Sequence, residues 1–137
     1  MDQKTYEVGQ ELPPYKVIIT KKTYRKYNFL IREINPIHFN TKYAQKMGYE
    51  DVIVAGNFLY SYIPKWILDW IGDIKAINKI SVKFGNPVYL EDELIHNGKI
   101  IEVKNENGKK VVVCEFQVIK VNGEFALGGT IQLLFSD

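Results

Sequence analysis

Between Gly56 and Ile71 the side chains of Phe58, Leu59, Tyr62, Ile63, Trp66, Ile67 and Trp70 recur at three-to-four-residue spacing, the period of a helical face. The stretch is apolar nearly all round, which predicts a helix covered on most sides. Pro64 lies inside it, where a missing backbone donor predicts a kink or two abutting segments. Upstream, Pro13-Pro14 breaks an N-terminal arm, and Tyr15 to Lys21 reads as a strand centred on Val17, Ile18 and Ile19. Thr23 is a candidate cap for a helix to about Arg32, with Tyr24, Tyr27, Leu30 and Ile31 at helical spacing. Thr41 is a second candidate cap, for Lys42 to Met47, and Gly48 is its natural stop.

From Ile77 onward the period changes to two. Ile80 to Phe84 alternates, Asn86-Pro87 turns, and Leu94 to Val103 leads through Asn105-Glu106-Asn107-Gly108 into Lys110 to Val121. Asn122-Gly123 predicts a two-residue hairpin into Glu124 to Phe135. Gly128-Gly129 marks a bulge, or a place where backbone or ligand comes close. A strand, short helices, a long apolar helix and about four antiparallel strands imply an α+β domain with a curved sheet wrapped around the helix. Strand edges of this length make a dimer the expected assembly.

Composition narrows the functions available. At 137 residues, 46% hydrophobic and 25% charged, the chain is expected to form one soluble domain, residues 1–137. Its net charge is only +2, and the basic residues are scattered apart from Lys21-Lys22 and Lys109-Lys110, so no nucleic-acid partner is expected. The charged start Met1 to Tyr6 does not read as a secretory signal. No apolar run approaches the roughly eighteen residues of a membrane span, so no membrane partner is expected either. The single cysteine, Cys114, excludes an intrachain disulfide and suits a reducing, cytoplasmic compartment.

Chemistry concentrates in Glu33-Ile34-Asn35-Pro36-Ile37-His38 and in Val54-Ala55-Gly56-Asn57 at the start of the long helix. A carboxylate and an imidazole five residues apart supply two proton carriers, and a helix N-terminus adds N–H donors for an oxyanion. Gly56 alternatively serves close helix packing, and Asn57 either binds a ligand amide or caps the helix. Tyr60, Tyr62, Trp66 and Trp70 read as core or dimer contacts. His96 reads as a surface strand residue. Glu33 and His38 alone make an incomplete metal site, so no metal is expected.

Asn35-Pro36-Ile37-His38 with a carboxylate five residues before the histidine, Thr41-Lys42-Tyr43-Ala44, Val54-Ala55-Gly56 and Val82-Lys83-Phe84-Gly85-Asn86-Pro87-Val88 resemble the MaoC-like hotdog-fold dehydratases, which include the (R)-specific enoyl-CoA hydratases. The resemblance runs from Val17 to Phe135. It implies a hotdog fold, sites near a dimer interface, and reversible hydration of a 2-enoyl thioester carried on coenzyme A or acyl carrier protein, with no cofactor. It also implies a homodimer or higher homo-oligomer, or a heterodimer with a second hotdog chain. His38 matches the family's catalytic histidine, and Glu33 stands where the family has its catalytic aspartate. Gly56 matches the glycine whose N–H binds the thioester oxygen, and Asn35 and Pro36 match residues that shape the loop.

Arg32-Glu33 replaces the family's usual Gly-Asp. The added methylene moves the carboxylate by roughly an ångström, a displacement able to cost about a hundredfold in rate. Two further functions therefore stay open: a non-catalytic hotdog subunit that supports an active partner chain, and a hotdog acyl-CoA thioesterase.

Overall fold

Five antiparallel strands form one sheet, in the order β1-β3-β4-β5-β2. They are β1 (Tyr15–Ile18), β2 (Ile77–Phe84), β3 (Glu93–Glu106), β4 (Lys109–Lys120) and β5 (Phe125–Ser136). The computed structural model describes residues 5–32 and 34–136. Strand period two produces the core directly: β4 buries Val112, Cys114, Phe116 and Val118 while Glu115 and Gln117 stay exposed between them. Among the described residues no helix is long and apolar enough to cross a membrane.

The two hairpin turns differ, and the difference is physical. Asn107 and Gly108 both adopt positive φ, 53° and 76°, as a two-residue primed turn requires. At the second hairpin Gly123 has φ 93° but Asn122 is not left-handed, because its Oδ1 accepts the Glu124 N–H at 2.9 Å. Gly123 N–H donates to Lys120 O at 2.8 Å and Lys120 N–H to Glu124 O at 2.9 Å, closing a three-residue loop where the sequence predicts two. Gly128-Gly129 is the close approach, not the bulge. A Cβ at Gly128 would meet Phe116 O at 2.8 Å and one at Gly129 would collide with Ser81 O. The register shifts involving β5 fall elsewhere, at Val118/Ile119 of β4 and Ile77/Lys79 of β2.

Helix α1 (Lys21–Ile31) is capped by Thr20, whose Oγ1 accepts the Thr23 N–H at 3.3 Å. Helix α2 (Thr41–Lys46) is capped by Asn40, whose Oδ1 accepts the Tyr43 N–H at 3.0 Å. Both caps precede the expected residues, because a cap side chain must reach an N–H two or three positions onward. Strand β1 likewise ends earlier than Lys21, where Thr20 begins the helix.

Helix α3 (Gly56–Ile71) runs through Pro64 as one element. It buries Phe58, Leu59, Ile63, Trp66, Ile67 and Ile71, but Asn57, Tyr60, Ser61, Lys65, Leu68 and Asp69 form an exposed stripe. The expected all-round cover is therefore replaced by burial of one face. Trp66 anchors that face, its ring centroid 5.5 Å from His96 and 6.2 Å from Phe116. Its indole N–H donates to Pro13 O at 2.7 Å, so the N-terminal arm satisfies the one polar atom of a buried tryptophan.

His96 is a core residue, 1% exposed, and not the surface residue its strand position suggested. Its Nδ1 meets Tyr15 O at 3.2 Å, while Tyr15 and Trp66 flank the ring edge-on. Burial disfavours the imidazolium and lowers the pKa to about 4, against the opposing pull of the Tyr15 carbonyl.

A histidine whose folded pKa is depressed contributes stability above its unfolded value near 6.5, and loses it as pH falls toward the folded value. The gap down to about 4 amounts to roughly 3 kcal/mol at about 1.4 kcal/mol per unit. Chemical denaturation at a series of pH values should show this loss between pH 6.5 and 4, with the slope flattened in His96→Gln. An unchanged slope in the variant would contradict the assignment. Cys114 is 0% exposed and its thiol is pushed up to about 12 by burial. A thiol-reactive dye should label it only at the rate of unfolding; labelling of the native protein within minutes would show that the strand opens.

Candidate active site

The segment after α1 is built to make a tight corner. Arg32 ends the helix in the left-handed conformation, φ 54°. Asn35 then caps a single 3-10 turn, Pro36–His38, its Oδ1 accepting the Ile37 N–H at 3.2 Å, with Pro36 in the first turn. His38 N–H donates to Asn35 O at 3.1 Å. Asn35 thus uses its side chain to set the corner from which the histidine projects.

His38 is half-buried, and its Nδ1 lies 2.9 Å from Ile53 O. A carbonyl oxygen only accepts, so Nδ1 carries the hydrogen in this bond and the lone pair of the neutral ring is on Nε2. The backbone closes the same clasp: Ile53 N–H donates to Ile37 O at 3.1 Å. From α1, Asn28 Nδ2 donates to His38 O at 3.1 Å. Both ends of the histidine are held.

Ile53 O has a second donor. Tyr24 OH, on a side chain 1% exposed, lies 3.3 Å from it and accepts the Ala55 N–H at 2.7 Å. The segment is also pinned from behind, where Val54 N–H donates to Val88 O at 2.8 Å and Ile53 pairs with Tyr89. Lys120, 7% exposed, holds that backing loop through Pro87 O and Asp92 Oδ2, each at 3.1 Å. Glu124 at 3.6 Å and the Tyr89 ring at 5.3 Å complete its surroundings. A buried cation survives only with such compensation.

His38 lines a cavity of about 310 Å³, together with Tyr24, Asn28, Thr41, Asp51 and Glu91. The Thr41 hydroxyl, 2.7 Å from Asp51 Oδ1, and the Val52 N–H, also at 2.7 Å, hold the Asp51 carboxyl below the usual carboxylate range. A larger hollow of about 690 Å³ lies over Gly98, Gly128 and Gly129 of the sheet. It contains Gly128-Gly129, the pair marked in the sequence as a bulge or close approach, but neither His38, Asn35, Gly56 nor Asn57.

At the start of α3, Ala55 provides no side-chain cap. Phe58 and Leu59 N–H turn back to Ala55 O at 3.1 and 3.2 Å, leaving the N–H groups of Gly56 and Asn57 without an intrahelical acceptor. A Cβ at Gly56 would lie 3.0 Å from Cζ of the half-exposed Phe84, so that ring would have to give way to any larger residue. Asn57 does not cap the helix; it is exposed in the first turn. Neither Gly56 nor Asn57 lines the His38 cavity, and the short link Ile53–Gly56 is what connects the two features. Glu33, the expected carboxylate of the pair, lies outside the described residues. Tyr24, Ile53 and Lys120 escaped the sequence analysis. Their roles depend on contacts between positions 15 to 33 residues apart, which no local pattern encodes.

A family model described as "MaoC like domain" matches residues 3–122. The chain is 25% identical over 103 residues to the 3-hydroxyacyl-[acyl-carrier-protein] dehydratase FERN, mitochondrial, of Solanum lycopersicum, covering 75% of this chain and 62% of the relative. It thus spans less than two thirds of that protein's length. The fold matches that of the (R)-hydratase from A. caviae involved in PHA biosynthesis with a TM-score of 0.80 at 19% identity, over 96% of this chain and 98% of the other. A C-terminally truncated HadBC (3R-hydroxyacyl-ACP dehydratase) complex from Mycobacterium tuberculosis matches with a TM-score of 0.73 at 20% identity, over 97% and 100%. These solved structures share the hotdog fold of a curved antiparallel sheet around one long helix. With a matching family model over most of its length and the His38 turn clasped to the start of the long helix, the chain belongs to the MaoC-like domain family.

Proposed function

We propose that this protein adds water to a 2-enoyl thioester, or runs the reverse dehydration of a 3-hydroxyacyl thioester, at the His38 cavity. The observation that carries this reading is the 2.9 Å contact of His38 Nδ1 with Ile53 O. It makes Nε2 the proton acceptor of a half-buried ring that lines the cavity. Hydration needs a base to draw a proton from water as it attacks the β-carbon, an acid to protonate the α-carbon, and donors for the enolate-like oxygen. His38 Nε2 serves the first step with Glu33 as its carboxylate partner. The free N–H groups of Gly56 and Asn57 serve the oxygen, aided by the positive end of α3. Asn35 shapes the turn that presents His38 and stands with Gly56 and Asn57 as a candidate substrate-binding residue.

The relatives named as 3-hydroxyacyl-[acyl-carrier-protein] dehydratase and (R)-hydratase support this class of chemistry. We assign the substrate as an acyl-CoA or acyl carrier protein thioester and the assembly as a homodimer. A second reading is favoured by the HadBC relative, which is a complex of chains: here the protein is a supporting subunit whose exposed Phe84, 51% exposed beside Gly56, meets a catalytic partner.

Mixing the protein with a short 2-enoyl-CoA should bleach the conjugated thioester absorbance without releasing thiol. His38→Ala should lower the rate by about 10²- to 10⁴-fold. Full turnover in that variant would sink the reading, and release of thiol would favour a thioesterase. Tyr24→Phe deletes the hydroxyl that joins Ile53 O to the Ala55 N–H. It should cost about 1 to 3 kcal/mol of stability, read from the denaturation midpoint.

A further inference from the structure

The net charge of the chain is small, +2, but it is not evenly spread. Residues 21–46, which form α1, the His38 turn and α2, hold seven of the 18 Lys and Arg and only one of the 16 Asp and Glu. That segment is net +6 and the remainder of the chain net −4. Basic residues that look scattered along the sequence therefore gather on the elements around the His38 cavity.

On α1 their arrangement is specific. Tyr24 and Tyr27 pack against Phe58 and fix the inner face of the helix. Lys22, Arg25, Lys26 and Phe29, at i, i+3, i+4 and i+7, share the opposite face, and all four are exposed. Lys21 and Arg25 also line the cavity, and Lys21 acts on the carboxylate of Asp51. Among the described residues none of Lys22, Arg25, Lys26, Lys42 and Lys46 has a carboxylate within ion-pair distance. Lys16, Lys99 and Lys104, elsewhere on the surface, each do.

The stripe ends in Phe29, 82% exposed, with Leu30 beside it at 68%. Unpaired cations next to an exposed aromatic suit an interface with an acidic surface: the charges steer and register the encounter, and the ring supplies buried contact. The stripe runs about 10 Å along the helix at about 1.5 Å per residue. Lys22, Lys26 and Phe29 line neither of the two hollows described above. A small phosphorylated ligand needs concave surroundings, whereas a convex stripe fits another protein.

We propose that this face of α1 docks a carrier protein with an acidic surface around its thioester arm, in preference to free coenzyme A. Arg25, which belongs both to the stripe and to the cavity wall, stands at the junction where the acyl arm passes to His38. The nature of the cargo rests on the thioester reading above; the docking face rests on the charge and exposure of α1.

Binding of a holo acyl carrier protein, followed by fluorescence anisotropy, and turnover of crotonyl thioesters on that protein and on coenzyme A test the two separately. Lys22→Glu combined with Lys26→Glu should weaken carrier binding about tenfold or more, and lower kcat/KM for the carrier-bound thioester in proportion, while crotonyl-CoA stays within about twofold. Lys22→Gln with Lys26→Gln should give a smaller loss, and replaces the reversed variant if that one fails to melt cooperatively. Absence of carrier binding by the wild-type protein overturns the proposal, as does unchanged binding in the variants or an equal loss of turnover on both thioesters. Binding to poly-glutamate as tight as to the carrier protein also overturns it, leaving a general polyanion surface. Hydration of crotonyl-CoA with no carrier binding sinks the docking face and spares the hydratase reading. Charge-dependent carrier binding with no turnover of either thioester does the reverse.

Discussion

The Ile53 carbonyl oxygen is the atom on which the candidate site depends. It accepts from His38 Nδ1 at 2.9 Å and from Tyr24 OH at 3.3 Å, so one backbone group sets the tautomer of the histidine and ties α1 to the segment leading into α3. Three residues later the chain becomes the uncapped N-terminus of α3. A single short segment thus fixes an imidazole with its lone pair on Nε2 and leads into a helix end whose first N–H groups have no intrahelical acceptor.

The rest of the fold holds that segment still. Val54 and Ile53 lean on the loop at Val88 and Tyr89, and Lys120 at the end of β4 ties this loop to the sheet through Pro87 and Asp92. The same loop reaches α1: Glu91 adopts φ 69° and its carboxylate accepts the Lys21 N–H at 3.0 Å. A non-glycine residue held at positive φ costs of order 1 kcal/mol and persists only where its surroundings demand it. Beneath these polar contacts lies the Trp66 face of α3 against His96 and Phe116. The site is therefore backed by the buried core, and precision in placing a proton carrier depends on such support.

How much of this was legible in the sequence follows from the range of each interaction. Strand alternation in β4 and the helical spacing of α3 are local and were read correctly, as was the glycine stop after α2. The α+β architecture followed from their order. His96 was misread because period two places a histidine on a face without saying whether Trp66 and Tyr15 will cover it. The hairpin at Asn122 was misread because its side chain bonds Glu124 N–H in place of taking a left-handed turn. His38 and Asn35 stood out through the Asn-Pro-x-His spacing. Tyr24 looked like a member of a helical stripe and Asn28 carried no signal, and only tertiary contact gives one the Ala55 N–H and the other the His38 carbonyl.

The central claim is that Ile53 O holds His38 as its Nδ1–H tautomer and leaves Nε2 to take a proton. Nitrogen-15 NMR of the histidine rings at a pH where His38 is neutral measures this directly. The structure requires the His38 Nδ1 resonance to be that of a protonated nitrogen and the Nε2 resonance that of a bare one. The reverse pattern would contradict it, since a hydrogen on Nε2 would leave Nδ1 facing a carbonyl with no proton to share.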